Sequence, residues 1–375
     1  MSVTIELRAS DLSLLARIDD FTQLDVVLRF NGEGTWVLRL PATGTIARMV
    51  QFSQGIVVKR NNVVLMSGII LRSFREWAAG VDSLTLSGID DTGRLGDRLA
   101  LPVPSGPPYT ASEHHVQATT GELALRAYVD ANAGPGATVG RRIPGLVLGT
   151  NLGLGTATII RARFQNLMLI LQQAAAMGGG LGFKVVQVGA TLEFQVFLPV
   201  DKTATAIFSP GLGNLRAYSY VRAAGTATYV YAGGGGEGTA RVFAEAYDPT
   251  PLLTYGRIEK FMDRRDIPTL SELQPVAQAE AYDNSEQREL RLSPLDTAGL
   301  QFGTHYNLGD RVTVVVDGIP IQDVVREVRL SLTAEGEALE PVVGPADASE
   351  QPAASSGLYG TIRVMATRIN QLERR

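Results

Sequence analysis

Side chains able to do acid–base, metal or nucleophilic chemistry are few in this sequence and poorly spaced for it. There are three histidines, His114, His115 and His305, and no cysteine. Cysteine absence excludes thiolate metal sites, disulfides and cysteine nucleophiles, and so few histidines leave little for a triad or a three-histidine metal site. His114 and His115 are neighbours, so they point apart on a strand or helix, and no His-Glu-x-x-His spacing places two ligands on one helical face. Both follow Glu113 in a proline-rich loop and read as solvated, while His305 sits in Gly303-Thr304-His305-Tyr306-Asn307-Leu308-Gly309-Asp310, a turn feeding a strand. Carboxylate pairs occur at Asp19-Asp20, Asp90-Asp91 and Asp263/Asp266. Acid–base work needs two carboxyls across a cleft with divergent pKa values. Asp90-Asp91-Thr92-Gly93 instead reads as a turn after a strand, solvated or structural, and Asp263-Arg264-Arg265-Asp266 as a surface ion cluster. The glycine clusters at 149–155 and 233–238 lack the Lys-Ser/Thr pair of a phosphate loop. Gly153-Leu154-Gly155-Thr156-Ala157-Thr158 lacks the third glycine of a dinucleotide fingerprint and reads as a connection between strands. No catalytic residue, cofactor or metal site is expected.

The elements that would have to position any site are mostly strands. Val26, Leu28 and Phe30 alternate onto one face, Asn31-Gly32-Glu33-Gly34 turns, and Trp36, Leu38 and Leu40 alternate back. A second hairpin runs over 56–60 and 63–66 around Asn61-Asn62, since asparagine tolerates the positive φ of tight hairpin turns. Further strands are expected at 68–74 and 83–89, a spacing that means a sandwich or barrel. Four prolines between Leu101 and Pro108 exclude a regular element and mark a boundary. An α+β stretch follows. Thr120 would cap a helix over 122–131, and Phe164, Leu167, Met168, Leu171 and Ala175 fall at helical spacing before Gly178-Gly179-Gly180. A hairpin is expected over 183–188 and 191–198.

Strands resume at 215–221, 226–231 and 241–246, a turn falls at Asp248-Pro249-Thr250-Pro251, and 275–282 reads as a short helix with proline in its first turn. The last β block covers 311–316, 319–321, 324–332 and 338–343, with turns at Asp317-Gly318 and Glu335-Gly336. Residues 345–357 have linker composition. Beyond them Leu358, Ile362, Met365, Ile369 and Leu372 recur at spacings of 4, 3, 4 and 3, the seam of a coiled coil. This amphipathic helix either associates with copies of itself or docks on its own subunit.

With 375 residues, two or more packed units are expected, and 40 glycines and 18 prolines suit a turn-rich β protein. The formal charge of -4 argues against coating nucleic acid, which needs a basic face. Charged residues are 19%, fewer than in ordinary soluble domains, which favours broad protein contacts. The start lacks a secretory signal, and no apolar run approaches the roughly 20 residues of a membrane span, so no membrane segment is expected.

One family gathers these pieces. The turn Asn31-Gly32-Glu33-Gly34 with the return Trp36-Val37-Leu38-Arg39-Leu40-Pro41 resembles the first domain of bacteriophage tail-tip baseplate hub proteins. So does Ile56-Val57-Val58-Lys59-Arg60 followed by Val63-Val64-Leu65-Met66-Ser67-Gly68-Ile69-Ile70. Tyr255-Gly256-Arg257-Ile258-Glu259 with Asp263 and Asp266 is similar to the segment before that family's second-domain helix. Tyr306-Asn307-Leu308-Gly309-Asp310-Arg311-Val312-Thr313-Val314 resembles its last barrel strand, and Glu340-Pro341-Val342-Val343-Gly344 its end.

The resemblance implies a mainly β chain with two small tail-tube-like β-barrels, an inserted α+β domain and a C-terminal helix. Residues 1–104 would form the first barrel, 205–237 with 301–345 the second, 105–204 with 238–300 the insertion, and 346–375 the linker and helix. It implies a virion component of the tail tip, made in the host cytoplasm, whose homotrimer forms a pseudo-sixfold ring continuing the tail tube. Expected partners are tail tube or distal tail protein, other tail-tip or fibre proteins, and DNA passing without specific binding. Larger members carry a peptidase or lysozyme-like domain after this core; this sequence ends soon after it, so no enzymatic role is expected. The alternative is a cell-wall glycan-binding tip protein using Tyr218, Tyr220, Tyr229 and Tyr231, although their alternation also suits sheet packing.

Overall fold

The computed structural model describes residues 3–295 and 299–344. The alternating segments near the start form the expected hairpin of Gln23–Arg29 and Thr35–Pro41. Leu24, Val26, Trp36, Leu38 and Leu40 are all buried on one face, with Leu24 opposite Leu38 and Val26 opposite Trp36. The second hairpin also forms, from Gly55–Arg60 into Val63–Ala78, and Asn61 and Asn62 take φ of 50° and 65° at its turn. The strand does not stop at residue 66 but runs 16 residues to Ala78 and returns as Val81–Asp90. Glycine at 68 permits this. A Cβ there would lie 2.9 Å from Trp36 Nε1, so a larger residue could not follow the sheet over the tryptophan.

A single large antiparallel path organises both halves of the chain. Its order is Leu215–Ala223, Gln287–Pro294, Gly336–Val343, Ile319–Thr333, Gln23–Arg29, Thr35–Pro41, Val81–Asp90, Val63–Ala78, Gly55–Arg60, Val3–Arg8 and Leu14–Ile18. The seam between the halves is the pairing of Ile319–Thr333 with Gln23–Arg29, where Leu330 faces Val26 and Leu332 faces Leu24. Arg311–Val316 branches from the long strand and carries Ile207–Phe208 on its other side. No sheet closes into a barrel: the path has two free ends, so the two closed barrels expected from sequence are not seen among the described residues. The edges of the two halves satisfy each other instead of curling back on themselves.

This sheet wraps the main core, built from Ile5 to Leu86 and again from Ala206 to Val343. A second core takes Leu12 and residues between Leu95 and Val196. In it the helices Gly121–Asn132 and Leu167–Met177 cross where Gly121 meets Gly178, a Cβ on the former lying 2.7 Å from the latter's Cα. The second helix starts later than its apolar spacing suggests. Asn166 caps it by accepting from Met168 N at 2.9 Å, which leaves Phe164 outside, half-exposed and at φ 61°. The hairpin Gly182–Val188 and Thr191–Phe197 completes this body, with Leu146–Leu148 added in parallel.

A third core lies between a three-stranded sheet and one helix. Tyr229–Gly233 is central, flanked by Phe243–Tyr247 and Glu259–Asp263, and Leu270–Asp283 packs on one face. Two sequence expectations are corrected here. Asp248 caps a helix, Pro249–Tyr255, rather than a turn, accepting from Thr250 N at 3.0 Å. The helix expected at 275–282 begins at Leu270, with Pro275 inside it, and Thr269 stands at its N-cap without a side-chain capping bond. The chain is thus mostly β with few helices. Leu358, Ile362, Met365, Ile369 and Leu372 lie outside the described residues.

Candidate functional site

Among the described residues, the histidines and carboxylate pairs named from sequence are engaged locally rather than with one another across a cleft. His114 lies 4.0 Å from Glu113. Burial beside Tyr128, ring centroids 4.9 Å apart, lowers the pKa of His115, whose Nδ1 has no hydrogen-bond partner. It is therefore not a solvated loop residue, because its strand, His115–Thr120, lies over the second core. His305 Nδ1 accepts from Gln301 N at 3.0 Å inside its own turn. Asp19 pairs with Arg17 in solvent, and Asp263 and Asp266 pair with Arg241 and Arg264 as the expected ion cluster. Among the described residues no group of His, Asp or Glu is disposed to hold a metal ion.

Asp90 and Asp91 do stand at a turn after a strand, and of the two roles expected theirs is the structural one: both are buried rather than solvated. Asp91 accepts from Arg8 and Ser67, while Asp90 accepts from Gly93 N at 2.8 Å. The pair lies where the main sheet meets the second body, and Thr92 Oγ1 there accepts from Val185 N at 3.0 Å. A two-residue acidic stretch beside a glycine carries no sequence mark of burial; only the sheet brought over it decides that.

The glycine-rich segment at 149–155 also has a structural purpose. Glu122, fully buried in the first turn of its helix, accepts from Leu152 N at 2.9 Å and Leu154 N at 2.7 Å. The loop is therefore clamped rather than free. Glu122→Ala should cost on the order of 2 kcal/mol, since two amides lose a charged acceptor. Limited proteolysis would show it as new cleavage within residues 149–155, and an unchanged digest would contradict the clamp.

Three surface features remain. A cleft of about 450 Å³ lies between the main sheet and the second body, lined in part by Phe30, Asn61, Lys184, Phe197 and Asn307. The outer half of the long hairpin, residues 71–81, is exposed throughout, with Leu71, Phe74, Trp77 and Val81 as large apolar side chains; Trp77 is 73% exposed. Exposed apolar groups clustered at a hairpin end mark a contact surface rather than a core.

The third feature is the uncovered face of the small sheet. Tyr229, Tyr231, Tyr247, Phe243 and Phe261 lie there, opposite the face buried by Val230, Ala232, Ala244 and Ala246. The four tyrosines named from sequence are thereby split. Tyr218 and Tyr220 pack against the main core as sheet packing predicts, whereas Tyr229 and Tyr231 face outward. Among the described residues no helix is long and apolar enough to cross a membrane.

Comparison with known proteins rests on the whole chain rather than on any one site. No curated protein matches the sequence. Among solved structures, the chain is similar to the 43 kDa tail protein of prophage MuSo2 from Shewanella oneidensis, with 13% identity and a TM-score of 0.59, covering 92% of this chain and 99% of that one. A tail protein from Neisseria meningitidis MC58 is similar at 17% identity and TM-score 0.59, covering 92% and 98%. The prophage tail protein gp18 from Listeria monocytogenes EGD-e gives 10% identity and TM-score 0.56, covering 98% and 99%. These likenesses show a shared fold. The family model described as Siphovirus ReqiPepy6 Gp37-like protein matches residues 4–345, and the chain belongs to that family.

Proposed function

We propose that this protein is a non-enzymatic structural hub of a phage tail tip, working as a homotrimer. The observation that carries the reading is the end-to-end likeness: a siphovirus family model spans residues 4–345, and the fold is that of three solved tail proteins over nearly their full lengths. Three copies would form a pseudo-sixfold ring continuing the tail tube, each copy contributing two tube-like units. Those units would be residues 1–104, and 205–223 with 287–294 and 301–344 in place of the 205–237 with 301–345 expected from sequence, because Gln287–Pro294 pairs within the main sheet while Tyr229–Gly233 belongs to the third core; 105–204 and 229–283 would be carried outside the ring. The seam joining Ile319–Thr333 to Gln23–Arg29 supports this, because it holds the two halves of the chain side by side in one wall.

The exposed hairpin end with Trp77 supports a contact between subunits or with tail tube or distal tail protein, since such a group is stabilised by burial against a partner. A formal charge of -4 suits a conduit that passes DNA without gripping it. Leu358, Ile362, Met365, Ile369 and Leu372 would join three copies at the axis.

Light scattering on the purified chain, with and without residues 346–375, tests the assembly. The expected mass is three times that of the monomer, falling on truncation or on Ile362→Asp with Ile369→Asp. A trimer that survives both changes would leave the ring and remove the helix from it. A monomer at every concentration would count against the ring.

A further inference from the structure

The uncovered face of the small sheet has the chemistry of a binding surface, and its charges say for what. Two stacks stand on it. In one, the Arg257 guanidinium lies 3.7 Å over Tyr229, whose ring is parallel to Tyr247 at 5.4 Å and 6°. In the other, the Arg241 guanidinium lies 5.5 Å from Phe243 and 5.6 Å from Phe261. Arg241 reaches that place because residue 233 is glycine: a Cβ there would come within 2.6 Å of its Nη2. The aromatic groups stay open to solvent, with Tyr247 48%, Phe243 53% and Phe261 55% exposed. A sheet face facing water would normally carry small or charged residues, so such rings in that position call for an occupant.

The formal charges on the face balance in number. Arg257 pairs with Glu259 at 2.7 Å, Arg241 and Arg265 with Asp263, and Tyr229 donates to Glu245 at 2.5 Å. Three arginines and three carboxylates leave no net charge. A nucleic acid would need uncompensated cations, and a strongly basic or acidic peptide would need an excess of the opposite sign. What complements rings and internally neutralised polar groups is an uncharged ligand with both C–H faces and hydroxyls. Phe243 and Tyr247 stand four residues apart on one strand, roughly 14 Å at about 3.4 Å per residue, with Glu245 between them. That spacing favours an extended ligand over a single small ring.

The geometry points to this face as a binding site for a neutral oligosaccharide, with sugar rings stacked on Tyr247 and on Phe243 and Phe261. Glu245, Glu259 and the Tyr231 hydroxyl accept or donate hydrogen bonds to its hydroxyls. The site stands apart from the proposed ring, so either can fail without the other.

Calorimetric titration of the full chain with maltohexaose, cellohexaose and chitohexaose, each to about 5 mM, tests it. At least one is expected to bind, with affinity falling at least tenfold in Tyr247→Ala and Phe261→Ala but retained in Tyr247→Trp. Phe52→Ala, which removes an exposed aromatic elsewhere, should bind as the parent does. Unchanged thermal melting separates lost binding from lost folding; if Tyr247→Ala fails to fold, Phe243→Ala replaces it. No binding of any of the three sugars would overturn the proposal, as would equal binding by parent and variants. Tighter binding of an anionic oligosaccharide would overturn it too, and so would self-association of the parent that disappears in Tyr247→Ala, which would make the face a contact between copies.

Discussion

Asp91→Asn is expected to destabilise the protein by about 3–5 kcal/mol, the largest loss from any single polar substitution among the residues described above. Asp91 Oδ1 lies 2.7 Å from Arg8 Nη2, and the two side chains are 0% and 3% exposed. Ser67 donates to Asp91 Oδ2 at 2.6 Å, and Arg94 approaches Oδ1 to 3.8 Å. The network then crosses to the second body: Arg8 Nη1 donates to Gln187 Oε1 at 2.8 Å, and Gln187 N donates to Ser67 Oγ at 2.9 Å. Asparagine keeps the shape but leaves the Arg8 guanidinium buried without its counter-charge. The cost arises because water cannot reach that cation to replace the carboxylate. Urea unfolding should show the midpoint falling, and Arg8→Met on top of Asp91→Asn should cost less than the two changes summed. A loss below about 1 kcal/mol for Asp91→Asn would place the strength of this junction elsewhere.

The second large effect is a dependence on pH. Asp90 is 9% exposed, and burial pushes its carboxyl pKa up to about 7, with the Asp91 charge adding to the rise. Hydrogen bonds from the Gly93 and Gly34 backbone and from Thr92 oppose the shift without cancelling it. The folded value lies above the ordinary carboxylate value of 3.8, so the folded state binds this proton more tightly than the unfolded chain does. The stabilisation is fully present below pH 3.8 and is lost as pH rises through about 7. Over that window the group removes on the order of 4 kcal/mol.

Asp90→Asn should therefore leave the protein more stable than the parent at pH 8, with the advantage shrinking toward pH 4. Other groups act in the opposite sense, Glu286 and His115 among them, and all of them are common to parent and variant. Glu286, held down to about 2 chiefly by the Arg222 hydrogen bond, stabilises above 4.5 and loses that contribution as pH falls toward 2, outside most of the window. His115, lowered by burial, loses stability as pH falls through 6.5 and its lowered value, but does so equally in parent and variant. The difference between their melting temperatures from pH 4 to 8 isolates Asp90. Parallel profiles would show that the Asp90 carboxyl is charged throughout.

The candidate surfaces were partly legible beforehand, and the tyrosines show the limit. Alternation in the sequence places Tyr229 with Tyr231 and Tyr218 with Tyr220, and both pairs do share a face in the structure. Period two says which side chains point the same way, but not which side receives a cover. The helix Leu270–Asp283 covers the side opposite Tyr229, whereas the main core takes up Tyr218 and Tyr220. The contact end of the long hairpin was hidden for a similar reason. Residues 71–78 carry strand-forming side chains like their neighbours, and only the lack of a cover on either face leaves them exposed.

What the sequence determined by itself is whatever depends on a few adjacent residues. Asn61-Asn62 and Asp317-Gly318 make their turns with positive φ, the hairpin around residues 31–34 forms in the expected place, and Gly121–Asn132 is a helix. The absence of cysteine and the scarcity of histidine likewise follow from composition alone. Only the tertiary structure decided the rest. The seam between Gln23–Arg29 and Ile319–Thr333 joins strands about 300 residues apart, and backbone hydrogen bonding is available to any edge, so no local pattern names the partner. The same holds for Asp90, Asp91 and Glu122: a carboxylate reads as solvated until packing removes the water, and its environment is set by atoms that arrive from distant segments.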